Sequence, residues 1–212
     1  MTRLLLALLA VVWATASQAQ DLVTLRPQPE NDVWWLRADF HALHREVRGI
    51  PVTKIRADWC KATEYKRELF PKELLVEDGA DVLAEANLSF SLEGSFDGSG
   101  TKQVALVGTY ETCDGTKGRF FLILDAATSK VRFLDAPVAE NRFAAIGPAG
   151  RSGIVIMYCL ECDNGSTVRW NRARKRFVIR RGLRTAGALL RRGGEPVAVR
   201  DFRRVSRRTP TA

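Results

Sequence analysis

Residues Phe96–Asp125 read FDGSGTKQVALVGTYETCDGTKGRFFLILD, and this stretch decides the fold. Gly98, Ser99 and Gly100 make a glycine-rich turn. Gln103 to Thr112 then alternates around Val104, Leu106 and Val107, and Arg119 to Leu124 runs back after a second turn at Asp114-Gly115. Asp-Gly between two β-rich runs predicts a tight hairpin, because both residues tolerate the positive φ such turns demand.

Working outward from the hairpin, a period of two persists after Asn87. It predicts strands near 88–94, 103–112, 118–124, 130–134, 142–147, 153–158, 166–170 and 175–180, an antiparallel meander of about eight strands. An internal echo sits inside it: VALVGTYETCDG (104–115) resembles IVIMYCLECDNG (154–165). Repeats of this length suggest two four-strand, blade-like units, too few to close a propeller.

Before Asn87 the spacing reads as helical. Leu36, Phe40, Leu43 and Val47 share one face of a helix from Asp32, stopped by Gly49 and Pro51. A second helix is expected from Asp58 to Leu69 and a short one from Pro71 through Leu75. Trp34 and Trp35 are expected to pack onto the sheet. The expected class is therefore α+β, with N-terminal helices packed on the meander.

The chain begins MTRLLLALLAVVWATASQAQD, with a basic Arg3, an apolar run from Leu4 to Trp13 and small residues before Ala19. This reads as a secretory signal over 1–19, cut after Ala19, in a run too short to span a bilayer. The expected organisation is then one domain over 20–180, helical over 32–75 and β over 87–180. An Arg-rich tail over 181–212 is expected to be disordered, with the fold ending near Arg180. The expected location is the periplasm or the extracellular space, with no transmembrane span.

The composition is ordinary for a globular protein, 46% hydrophobic and 27% charged. The net charge of +9 is concentrated at the end. From Arg181 onward nine arginines face Glu195 and Asp201, so residues 1–180 carry +2. This argues against a nucleic-acid partner and leaves the tail able to contact anionic surfaces.

FDGSGTKQVALVG (96–108) resembles the blade motif of the FG-GAP and VCBS repeat families, in which a D-x-D-G-D-G-x-x-D loop precedes a hydrophobic strand and binds Ca²⁺. The resemblance places the acidic ligands at Ser95, Asp97, Ser99 and Gln103 and the glycines at Gly98 and Gly100. One carboxylate of four remains, with Ser99 the second candidate oxygen ligand, so the loop is expected to bind Ca²⁺ weakly or not at all. No cofactor is expected.

Four cysteines in an exported chain predict two disulfides, with Cys60–Cys113 and Cys159–Cys162 the favoured pairing. Two alternatives use CLEC differently: a thiol-redox site, or zinc held by Cys159, Cys162, His41 and His44. Glu93, Asp97, Glu111, Asp114, Glu161 and Asp163 lie near turns, but no pair of them is selected as an acid and a base. No nucleophile elbow is present. The functional expectation is an exported, disulfide-stabilised protein with a non-catalytic binding or structural role in the cell envelope. The alternative is an envelope enzyme, or a redox or metal protein, using Cys159 and Cys162 or turn carboxylates.

Overall fold

The computed structural model describes residues 21–27, 34–77, 79–160 and 164–182; the expected signal segment and the expected tail beyond Gly182 lie outside them. In chain order come β1 (Val23–Leu25), α1 (Trp34–Arg37), β2 (Ala38–Phe40), β3 (Glu46–Val47), β4 (Ile50–Pro51), α2 (Val52–Ile55) and β5 (Trp59–Glu64). A 3-10 turn (Arg67–Leu69), α3 (Lys72–Leu75), β6 (Val76–Glu77), β7 (Ala80–Asp81), α4 (Val82–Glu85) and β8 (Ser91–Gly94) follow. The remaining strands are β9 (Gln103–Thr112), β10 (Lys117–Asp125), β11 (Val131–Asp135), β12 (Ala145–Ala149), β13 (Gly153–Met157), β14 (Gly165–Asn171) and β15 (Arg176–Arg181).

The central hairpin is β9–β10, paired without a break from Lys117 opposite Glu111 to Asp125 opposite Gln103. Its turn is closed by Asp114, whose carboxylate accepts from Thr116 N at 3.1 Å, and by Gly115 at φ +86. β11 pairs with β10, while the outer edge of β9 is shared: β5 pairs along 108–112 and β8 along 103–106. Gly108 permits this crowding. A Cβ there would stand 2.2 Å from Thr63 O and 2.6 Å from the Phe120 ring. Strands β12 to β15 form a second sheet in simple sequential order.

Alternation along the hairpin sends side chains both ways, and both sides are covered. Val104, Leu106, Tyr110, Phe120, Leu122 and Leu124 meet Val47, Val52, Ile55 and Trp59, with Trp59 stacked on Tyr110 at 4.7 Å. Ala105, Val107, Phe121 and Ile123 share a larger core with Ile146, Ile154, Ile156, Val168 and Phe177 of the second sheet. The first sheet is thus a middle layer. The second sheet lies on one side of it and the 47–59 segment on the other.

The α+β expectation is overturned. Among the described residues the structure is mostly β, and each α-helix is a single turn of four residues. The start of the expected helix at Asp32 lies outside the described residues, and α1 ends at Arg37, ten residues short of Val47. Phe40 and Val47 are both buried, but from β2 and β3, and Arg48-Gly49 (φ +50 and +76) turns the chain between β3 and β4. The expected helix over 58–69 is instead β5, held by its ladder to β9 and by a disulfide between Cys60 and Cys113. Tertiary pairing has overridden a helical apolar spacing. The strands after Asn87 stand where the alternation places them, but they are divided between two sheets. β5 and β8 share one edge of the first, so it is not a four-strand copy of the second.

Candidate functional site

The residues singled out by the sequence are held in separate local structures. Asp97 Oδ1 accepts from Ser99 N at 2.9 Å, and its Oδ2 accepts from Gln103 Nε2 at 2.9 Å and Arg132 at 3.3 Å. Arg132 also reaches Asp125 at 3.4 Å. The resemblance would place a cation at Asp97; here a guanidinium bridges Asp97 to Asp125. Burial works to raise the Asp97 carboxyl, but its hydrogen bonds outweigh that and hold it below the usual range.

Glu93 pairs with Lys102 at 2.6 Å and Glu111 lies 4.0 Å from Lys117, while Asp114 serves its own turn. Glu161 and Asp163 lie outside the described residues. His41 Nε2 sits 2.9 Å from Thr24 Oγ1, and His44 is exposed, its backbone bridged to Ala62. Among the described residues no three His, Cys, Asp or Glu side chains converge as a metal site. Cys159 is disulfide-bonded, and Cys162, its expected partner, lies outside the described residues.

A concavity of about 480 Å³ lies where β5 and β8 meet along β9. Tyr65 N donates to Val107 O and Val107 N to Phe90 O, so the sheet edge stays stitched behind the gap. Four of the charges that line it are paired with one another. Arg48 grips both Glu64 oxygens at 2.5–3.0 Å, and Arg67 pairs with Asp81, which caps α4 by accepting from Leu83 N and Ala84 N. A charged ligand held by these four would have to break the pairs.

The second sheet carries the opposite arrangement. Val168 and Phe177 face the core, so Arg169, Arg176 and Arg180 project from the outer face. Arg172, Arg174 and Lys175 form the β14–β15 turn, which Asn171 Oδ1 closes by accepting from Arg174 N at 2.9 Å. The β12–β13 turn adds Arg151 at the same end of the sheet. All seven are exposed, and none has a carboxylate partner among the described residues. Residues 165–212 hold fifteen Lys and Arg against two acidic residues, or +13, which leaves −4 for residues 1–164.

Cutting the chain at Arg181 hides this feature, because six cations of the β14–β15 hairpin then offset the acidic remainder. The signal that reveals it is the parity of Arg169, Arg176 and Arg180 against the buried Val168 and Phe177. Comparison with protein-family models, curated proteins and solved structures gives no match, so function is argued from this chemistry.

Proposed function

We propose that the protein is an exported, disulfide-stabilised domain with a non-catalytic binding role in the cell envelope, docking on anionic lipid through the outer face of its second sheet. The observation that carries this reading is the set of seven exposed, unpaired cations on one face and end of one sheet. The cations cover an exposed sheet face and the turns at its end, an arrangement suited to a planar lipid surface. A polysaccharide chain is better held by a groove. Each Lys or Arg at an anionic membrane surface contributes about 1 kcal/mol, within a Debye length of about 8 Å at physiological salt. No helix among the described residues is long and apolar enough to cross a membrane.

The test is co-sedimentation with phosphatidylcholine vesicles with and without phosphatidylglycerol. Binding is expected only with the anionic lipid and is lost at about 0.5 M salt, where screening is nearly complete. Replacing Arg172, Arg174, Lys175 and Arg176 with Ser is expected to weaken binding by roughly 10²–10³-fold, from four contacts of about 1 kcal/mol each. Unchanged binding by that variant would assign docking to the 181–212 segment instead. Preference for a soluble sulfated polysaccharide over the vesicles would overturn the lipid assignment.

A further inference from the structure

Arg119 stands where the alternation of β10 reserves an apolar position. Phe121 and Ile123, of the same parity, face the second sheet and are buried in the shared core. Arg119 extends the same way, into the seam between the sheets. Its guanidinium lies 3.7 Å from the centre of the Tyr158 ring, and one terminal nitrogen donates to Asn141 O at 2.6 Å. Its Nε is buried with no hydrogen-bond partner. No carboxylate pairs with it among the described residues: Asp135, the acidic group whose field reaches it, is bonded to Arg181 at 3.3 Å.

A half-buried cation left in this state is costly, because buried charges are ordinarily paired. Desolvation, the largest influence on it, pushes the Arg119 pKa down. A second guanidinium approaches from the other sheet. Arg181, at the end of β15, shares the inward parity of Phe177 and Ile179 and reaches across to Asp135 of β11. Arg119 and Arg181 line a hollow of about 180 Å³ with Tyr158, Asn164, Ser166 and Gly182. The Tyr158 and Ser166 hydroxyls lie 3.0 Å apart on its wall.

We propose that this seam hollow binds an oxyanion of phosphate chemistry between Arg119 and Arg181. Two guanidiniums entering from different sheets suit an anion that accepts hydrogen bonds on more than one side, and charge-assisted bonds of this kind are the strong ones. Asp135 and the anion compete for Arg181, which leaves the empty hollow with one charge in excess. The site is separate from the docking face: Arg119 and Arg181 point between the sheets, whereas Arg169, Arg176 and Arg180 point away from them.

The experiment titrates the purified protein with inorganic phosphate by calorimetry at constant ionic strength, with acetate as the carboxylate control. Saturable phosphate binding is expected, weakened at least tenfold in both Arg119→Leu and Arg181→Gln. Arg119→Leu is expected to fold, since Leu suits the parity of the position, and to lose the rise in melting temperature that phosphate gives the parent. Arg181→Gln keeps the same test available if Arg119→Leu fails to fold. Absence of saturable binding, binding untouched by both substitutions, or acetate binding as tightly as phosphate would overturn the proposal.

The same variants on phosphatidylglycerol vesicles identify the source of the phosphate. Vesicle binding retained while phosphate binding is lost supports a free phosphate compound, and loss of both supports a lipid headgroup. Because the Arg172, Arg174, Lys175 and Arg176 variant leaves the seam intact, it is expected to bind phosphate normally. Failure of lipid docking and failure of this site are therefore read separately.

Discussion

Strand β9 is buried along nine of its ten residues, whereas β13, which carries the echoing sequence, buries three of five. The two stretches look alike because both are apolar and β-branched and end near a Cys and an acidic turn. They differ in what covers them. β9 lies in a sheet covered on both faces, and β13 in a sheet whose outer face is covered over β12 and exposed along β14 and β15. A doubly covered sheet must be apolar in both parities, while a singly covered one leaves a parity free for other chemistry. In the second sheet the free parity carries arginine. The first sheet therefore contributes chiefly stability and the second a charged surface.

The largest effect that would test this contrast is a cavity in the first sheet. Leu122 is fully buried, and Leu122→Ala is expected to cost about 2–5 kcal/mol in chemical denaturation. Val178→Ala, on the outer face of the second sheet, is expected to cost no more than about 0.5 kcal/mol. Similar losses at both sites would remove the distinction between the sheets.

Next comes the covalent tie that only the first sheet is shown to contain between its strands. Cys60 on β5 and Cys113 beyond β9 close a separation of 53 residues. Replacing both with Ala is expected to cost about 2–4 kcal/mol, read as a fall in the denaturation midpoint. No loss would show that the β5 ladder holds without the bridge.

The turns that feed the equivalent strands give a smaller contrast. Asp97 accepts bonds from Ser99, Gln103 and Arg132, so Asp97→Ala is expected to cost about 1–3 kcal/mol near neutral pH. Its folded pKa is lowered, so its contribution is present above the unfolded value of about 3.9 and is lost as pH falls through the folded value. The gap between parent and variant should therefore close in acid. Arg151→Ala, in the corresponding turn of the second sheet, is expected to be neutral within about 0.5 kcal/mol. A gap at Asp97 that stays constant down to pH 2 would exclude the carboxylate as its cause.

At the far edge of the second sheet, β15 runs to Arg181 and Gly182 N still donates to Gly165 O at 3.1 Å. The ladder thus passes the boundary expected near Arg180. A chain ended after Arg180 is expected to be about 1 kcal/mol less stable than one ended after Gly182, a difference visible in melting temperature. The smallest expectation is a null one. Millimolar Ca²⁺ should leave the melting temperature unchanged, because Arg132 already neutralises Asp97. A calcium-induced rise would mean that the cation displaces Arg132.

The strands after Asn87 were legible because alternation and Asp-Gly or Asn-rich turns are local properties, written within a few residues of where they act. Most of the chain before Asn87 was not, although the short helix expected from Pro71 through Leu75 forms as α3. Leu43 and Val47 are spaced as on a helix, yet the backbone around them is spent on β-pairing, His44 with Ala62 eighteen residues on and Glu46 with Pro51 across the Arg48-Gly49 turn. The functional surfaces divide in the same way. The cations of β14 and β15 are plain in the sequence, but only the burial of Val168 and Phe177 turns Arg169, Arg176 and Arg180 outward together.

By itself, then, the sequence determined the β period of the second half and the basic excess at its end. The favoured pairing of Cys60 with Cys113 is the one observed, whereas the tertiary structure decided the division into two sheets, the conversion of expected helix into β5 and the placing of Arg119 opposite Arg181. The physical reason is range. Turn conformation and side-chain parity follow from neighbouring residues, whereas an edge finds its partner, and a seam its charges, only when distant segments compete for the same backbone bonds and the same buried space.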